Sequence, residues 1–297
     1  MSYLNALPGA IAQGMIWGIM AIGVYITYKL LDIADLTVDG SICTGACVFA
    51  VLTVSGVNVC ISMLVAFIAG AIMGLVTGIF HTFMGIPAIL AGILTQLILW
   101  SVNLKILGKS NQSVPSAKYP VVVSISGEKW KTILVILAFC AVIIALLYWF
   151  FGTERGCSIR ATGCNINMSK AQGINTNVNK IIGLMLSNGI VALSGALICQ
   201  YQGFADINMG RGAIVIGLAA VIIGEAVFGR ISSNFAVQLS AVIGGGIIYY
   251  IVYQTVIFLG LDTDLLKMMS AVVVAIFLAV PYWKGKYFSK VKKKEVK

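Results

Sequence analysis

Nine apolar stretches, parted by short polar breaks, fill this chain: Leu4–Leu30, Gly40–Val54, Val57–Phe83, Ile86–Leu104, Lys131–Phe151, Lys180–Tyr201, Gly212–Phe228, Phe235–Leu259 and Leu265–Trp283. Most of them reach the roughly 20 helical residues needed to cross a ~30 Å hydrocarbon core. With 60% hydrophobic and 10% charged residues, the chain cannot cover itself with a wettable surface, so lipid is its solvent. The runs are continuous, not alternating, which selects helices over a barrel of tilted strands. The expected fold class is all-α, a polytopic membrane protein of eight to nine transmembrane helices. Gly40 and Gly45 interrupt the short second segment and Pro87 opens the fourth, so these two are expected as broken or re-entrant pieces.

Domain organisation follows directly. Residues 1–283 are expected to form one transmembrane domain, with a polar segment at 152–179 and a basic tail at 284–297. No basic residue precedes the first run, and Lys29 follows it, so that run is expected to be a retained span, not a signal peptide. The seven cysteines sit mostly within apolar runs without a Cys-x-x-Cys pair, and read as small buried apolar residues. No metal site and no cofactor are expected.

The tail carries seven lysines against Glu295 alone, which places it on the cytoplasmic side by the bias of basic residues. Counting spans backwards puts Thr153–Asn179 on the same side and the N-terminus outside. The loop Lys105–Trp130 opposes this, because it holds four lysines on the expected outer side. The net charge of +10 lies at membrane boundaries and in the tail, which suits anionic lipid and offers no organised surface for nucleic acid.

Segment 152–179 is too polar to span and too short for its own core, so its use is to dock. Within it Ile166–Gly173 is expected as a short helix, with Asn165 as N-cap and Gly173 as stop. The run Arg160-Ala-Thr-Gly-x-Asn165, then Ala171-x-Gly173-Ile174-Asn175 and Ala192-Leu-Ser-Gly-Ala196, resembles the coupling segment of ATP-binding-cassette permeases of the branched-chain amino acid and ribose type. Ala34-Asp35-Leu36-Thr37-Val38-Asp39-Gly40-Ser41 resembles the break such permeases carry near their second span. Gly224-Glu225 to Gly229-Arg230 and Gly260-Leu-Asp262-x-Asp264 are similar to the tryptophan/tyrosine permease subgroup.

The resemblance implies a permease homodimer in a bacterial cytoplasmic membrane, two cytoplasmic ATPase subunits and an extracytoplasmic substrate-binding protein. It implies ATPase-coupling roles for Glu154, Arg155, Arg160, Asn165, Ala171, Gly173, Ile174 and Asn175. The implied cargo is a small solute, an amino acid, with aromatic ones among the candidates. The chain lacks its own nucleotide site: Gly108-Lys109-Ser110 mimics the end of a P-loop, but Asn103 replaces the required first glycine.

Ala34-Asp35-Leu36 recurs as Ala205-Asp206-Ile207, so Asp35, Asp39 and Asp206 are candidate markers of an inverted repeat, with two similar helix-start caps as the plainer alternative. All aspartates are expected at span ends, and Glu225 with Arg230 is expected as an interfacial pair on the ATPase side. The uncharged polar residues within spans are expected mostly to bond across helices. Gln96, Asn188, Thr95 and Ser187 are the candidates for the translocation path. The tryptophans are expected as interface belts, and Gly70-x-x-x-Gly74-x-x-x-Gly78 as a packing stripe. A carrier driven by an ion gradient is the main alternative, disfavoured by the scarcity of buried ionisable groups. An intramembrane enzyme is remote, given a lone His81 and no buried carboxylate pair.

Overall fold

A computed structural model describes residues 3–116, 118–119, 121–124, 129–229 and 234–258, with a few isolated positions beyond. The chain forms α1 (Tyr3–Tyr25, continued by a π-helical turn Ile26–Leu30), α2 (Val38–Val54), α3 (Val59–Thr82), α4 (Ala88–Leu107), β1 (Asn111–Ser113) and α5 (Lys129–Gly152). There follow α6 (Glu154–Cys164), α7 (Ile166–Ala171), α8 (Thr176–Gln202), β2 (Phe204–Asp206), α9 (Ala213–Phe228) and α10 (Phe235–Phe258). Among the described residues six helices are long and apolar enough to span a bilayer, while α2 and α9 are shorter apolar helices. The segment Leu265–Trp283, the basic tail and Arg230 lie wholly or almost wholly outside the described residues.

Two expectations change. The second and fourth segments are both unbroken: Gly40 and Gly45 lie inside a continuous 17-residue helix, packed closely against neighbours, and Pro87 supplies the N-cap residue before a continuous 20-residue helix, where its missing N–H costs nothing. The fold is also not purely helical, because β1 and β2 form a two-stranded antiparallel ribbon pairing Asn111 with Asp206.

Helix α8 is the axis of the bundle. The α3 stripe lies directly on it, with Gly70 facing the Asn188 carbonyl, Gly74 the Leu184 carbonyl and Gly78 Ile181. Any Cβ at Gly70 or Gly74 would collide with backbone, so the stripe sets the approach of the two helices. On the other side, Gly14 and Gly18 of α1 admit α10 at Ile247 and Ile243, and Trp17 packs on Tyr250 at 5.9 Å between ring centres. Trp17 is therefore buried core and not belt. Outer faces of α3, α4 and α5 stay apolar: Leu64, Leu97 and Leu134 are 62%, 64% and 65% exposed, a pattern suited to lipid or to an apolar partner face.

One end of the bundle gathers the close of α1, the turn from α3 to α4, α6, α7, and the starts of α8 and α10. Lys180 Nζ lies 3.3 Å from His81 Nε2, Lys29 pairs with Glu225 at 3.0 Å, and the Phe151 and Phe235 rings meet edge to face at 5.2 Å. The opposite end holds the ribbon, where Gln200 Oε1 accepts from Val122 N at 3.1 Å.

Candidate functional site

After α1 the chain does not leave the bundle. Asp32 adopts φ 54°, the only positive φ outside glycine among the described residues, and the link Leu31–Thr37 turns back among the helices. Asp35 ends 3% exposed beside Asn188, midway along α8. Its Oδ1 accepts from Thr37 N at 2.9 Å and its Oδ2 from Asn188 Nδ2 at 2.7 Å. The expectation that every aspartate sits at a boundary therefore fails at Asp35: the residue lies between helices in sequence, but the link carries it to bilayer depth. Every polar atom of Asn188 is engaged, since Nδ2 also donates to Leu184 O and Oδ1 accepts from Ser41 Oγ at 2.6 Å. The Thr37, Thr77 and Thr95 hydroxyls form a chain at 2.8 and 2.9 Å, and Ser187 Oγ donates to Gly23 O. Three of the four candidate path residues, Asn188, Thr95 and Ser187, are thus fully buried and bonded within the bundle.

A second turn packs on the start of α2. Asp206 Oδ1 accepts from Asn208 N at 2.7 Å, repeating the local geometry of Asp35 and Thr37. Cys43 of α2 draws that loop inward, donating to Ile207 O and accepting from Gly210 N at 3.1 Å. Asp39 then caps α9 from another helix: its Oδ2 accepts from Gly212 N at 2.9 Å and its Oδ1 from Ile214 N at 2.8 Å. A carboxylate here satisfies orphan N–H groups and faces the positive end of the helix dipole. The two short helices α2 and α9 consequently start side by side.

Next to that junction lies a cavity of about 200 Å³, lined by Asp39 and Cys43 of α2, by Gln96, Trp100 and Asn103 of α4, and by Arg211. Of the four path candidates, Gln96 is the one that lines this cavity, and it does so together with Asp39. Asn103 is 1% exposed, yet its Oδ1 has no hydrogen-bond partner. Sequence reasoning missed Trp100, Asn103 and Arg211. A signal existed for two of them, since Gln96, Trp100 and Asn103 recur at i, i+4 and i+7 and so share one face of α4. Cys43 was underrated as a bland apolar residue, and Cys60, Cys157 and Cys164 are exposed where burial was expected. No cluster of ligands able to hold a metal occurs among the described residues.

The polar segment 152–179 folds into two helices, of which only α7 was foreseen. Asn165 Oδ1 caps α7 by accepting from Met168 N at 3.0 Å, Gly173 closes it at φ 77°, and Asn175 Oδ1 caps α8 by accepting from Val178 N at 3.2 Å. Helix α6 is capped by Thr153, whose Oγ1 accepts from Gly156 N. Its inner face is anchored: Asn179 Nδ2 donates to Ser158 Oγ at 2.7 Å and Thr162 Oγ1 at 2.9 Å, and Gly163 lies against the Leu30 carbonyl. Arg160 stacks 5.5 Å above the Phe235 ring. Outward stand Glu154, Arg155, Asn165, Ala171, Gly173 and Asn175, with Ile174 half-buried and Met168 63% exposed. Glu225 has Lys29 as its partner, and Arg230 lies outside the described residues.

Comparison with known proteins adds the following. Residues 7–281 match the family described as branched-chain amino acid transport system, permease component. The chain is 40% identical over 93% of its length, and 91% of the relative's, to a tyrosine transport system permease protein of Clostridioides difficile. It is 30% identical over 69% of its length, and 58% of the relative's, to an autoinducer 2 import system permease protein of Yersinia pestis. In fold it is similar to the solved structure of PsaBC from Streptococcus pneumoniae in complex with Fab, with a TM-score of 0.54 and 16% identity over 98% of this chain and 96% of that one.

Proposed function

The chain belongs to the family of permease components of branched-chain amino acid transport systems, a family of non-enzymatic transmembrane subunits, and on that premise we propose that it is the membrane subunit of an ATP-driven importer. It takes a small solute from an extracytoplasmic binding protein across a bacterial cytoplasmic membrane, and a separate ATPase docks on its cytoplasmic face. The cargo is an amino acid, and the tyrosine named for the Clostridioides relative makes an aromatic one the first to try.

The observation that carries this reading is the α6–α7 element. It presents an exposed surface, from Glu154 and Arg155 to Met168 and Gly173, yet is bonded rigidly to α8 through Asn179 and abuts the end of α1 at Leu30. A push on α6 and α7 is thereby delivered to the two helices that border the Asp35 link. Glu225, paired with Lys29 at the same end, borders the docking face. The path runs through the Gln96 cavity beside the paired starts of α2 and α9, which act as the matching short helices of an inverted repeat with Asp35, Asp39 and Asp206 at the corresponding turns. A homodimer completes the path, and residues 284–297 form a basic tail on the cytoplasmic leaflet.

The buried Asp35 gives the ion-driven carrier one point in its favour. Mild detergent extraction of the tagged chain, with mass spectrometry of what accompanies it, separates the two. Recovery of a P-loop ATPase that is lost on altering Ala171–Asn175 supports the importer; a folded chain reproducibly free of any ATPase refutes it.

A further inference from the structure

The cavity between α2, α4 and the turn before α9 holds an unmatched set of groups. Asn103 Oδ1 is buried without a donor, although buried acceptors are rarely left so, and Asn103 lines the cavity wall. Asp39 lines it too; its carboxylate takes the backbone N–H groups that open α9, from Gly212, Ala213 and Ile214, and its negative charge faces the same space as Arg211. Arg211 lines the same space, and among the described residues no carboxylate lies within ion-pair distance of it. A carboxylate and a guanidinium that share a cavity without pairing suit an occupant carrying both opposite charges. Trp100 adds an aromatic wall, and its flat face accommodates an aromatic or long apolar side chain.

We infer that this cavity is a transit subsite for the zwitterion of an α-amino acid: Arg211 takes the carboxylate, Asp39 and Asn103 Oδ1 take the ammonium, and Trp100 faces the side chain. At about 200 Å³ it lies below the usual range of ligand pockets, so it admits one small solute. This deepens the importer reading and rests on it for the direction of transport, but the ligand chemistry stands on the cavity alone.

The full chain in nanodiscs is to be titrated by saturation-transfer difference NMR with L-tyrosine, tyramine, 3-(4-hydroxyphenyl)propionate and D-ribose. The expected result is binding of L-tyrosine, with the two half-ligands weaker by about tenfold or more and no ribose signal. Arg211→Gln, at an exposed position, should abolish the preference for tyrosine over tyramine. Asn103→Leu should weaken tyrosine about tenfold and leave 3-(4-hydroxyphenyl)propionate unchanged. Equal binding of tyrosine and its half-ligands, preference for ribose, no tyrosine signal, or intact discrimination in Arg211→Gln would each overturn the inference. An ATPase recovered with a chain that lacks this preference sinks the subsite alone, whereas the preference without an ATPase sinks the importer reading alone.

Discussion

Asp35 is the residue whose neighbours matter most to folding, because its carboxyl is removed from water and depends on Asn188 and on the amide and hydroxyl of Thr37 for its hydrogen bonds. Asn188→Leu leaves Asp35 Oδ2 and Ser41 Oγ without their partner at one stroke. The expected loss is on the order of 3 kcal/mol, the cost of an unsatisfied buried group that bears or can bear charge. It should appear as a lowered melting midpoint in fluorescence-detected size exclusion. Asp35→Asn keeps one acceptor but turns an amide NH2 toward Asn188 Nδ2 or Thr37 N, so it should melt between Asn188→Leu and the native chain, with ATP-driven uptake retained. An Asp35→Asn chain that folds but has lost uptake would instead mark Asp35 as an ion-carrying group. The pair Lys29 and Glu225 stands in the opposite regime: the side chains are 50% and 42% exposed, so water screens their attraction. Removing either should change stability by less than about 1 kcal/mol. Any larger effect of Glu225→Ala on ATPase recovery then reports a docking contact and not a folding defect.

Among elements, α7 was legible and α6 was not, for physical reasons that can be named. Helix α7 is punctuated by Asn165 and Gly173, a cap and a left-handed stop that need no tertiary context. Helix α6 contains Gly156 and Gly163, which argue for a loop on propensity alone. The fold uses both as close approaches, Gly156 against Phe150 and Phe151, and Gly163 against the Leu30 carbonyl, so packing overrides propensity. The same contrast divides the site. Gln96 was found because it is polar within an apolar run, whereas Arg211 lies in a short turn and acquires meaning only when Cys43 draws that turn against α2. Two substitutions test the elements. Gly173→Leu forces a side chain into φ 77°, which costs roughly 1–2 kcal/mol locally and should misalign α7. Insertion should survive while substrate-stimulated ATP hydrolysis falls at least about tenfold; native-like coupling would show that α7 does not transmit force. Gly74→Leu drives a side chain into the Leu184 carbonyl and should separate α3 from α8, seen as loss of monodisperse protein.

At the scale of the whole molecule, the apolar runs told that lipid surrounds the chain, but not that the Leu31–Thr37 link re-enters it, since hydropathy reports where a helix is possible and not the depth of a connection. The charges of the described residues divide between the two ends. Lys29, Arg155, Arg160, Lys170 and Lys180 stand at the α6 end, while Lys105, Lys109 and Lys118 follow α4 toward the ribbon and Lys129 and Lys131 lie in the first turn of α5. Among the described residues the basic-residue bias is therefore shared between the ends, and the cytoplasmic expectation rests on the seven lysines of 284–297. Labelling resolves the matter. Cys164 is exposed at the close of α6, and Asn111 is exposed on the ribbon at the far end of the bundle. In a chain whose other cysteines are replaced by serine or alanine, Cys164 should react with a membrane-impermeant maleimide in inside-out vesicles and be protected in right-side-out ones. Asn111→Cys, placed in a chain without Cys164, should show the reverse. If both results invert, the bundle stands but α6 and α7 face away from the ATP pool, and the coupling role passes to the ribbon end. If both positions react from one side, the ends are not opposite at all, and the span order derived from α8 as the axis falls with them.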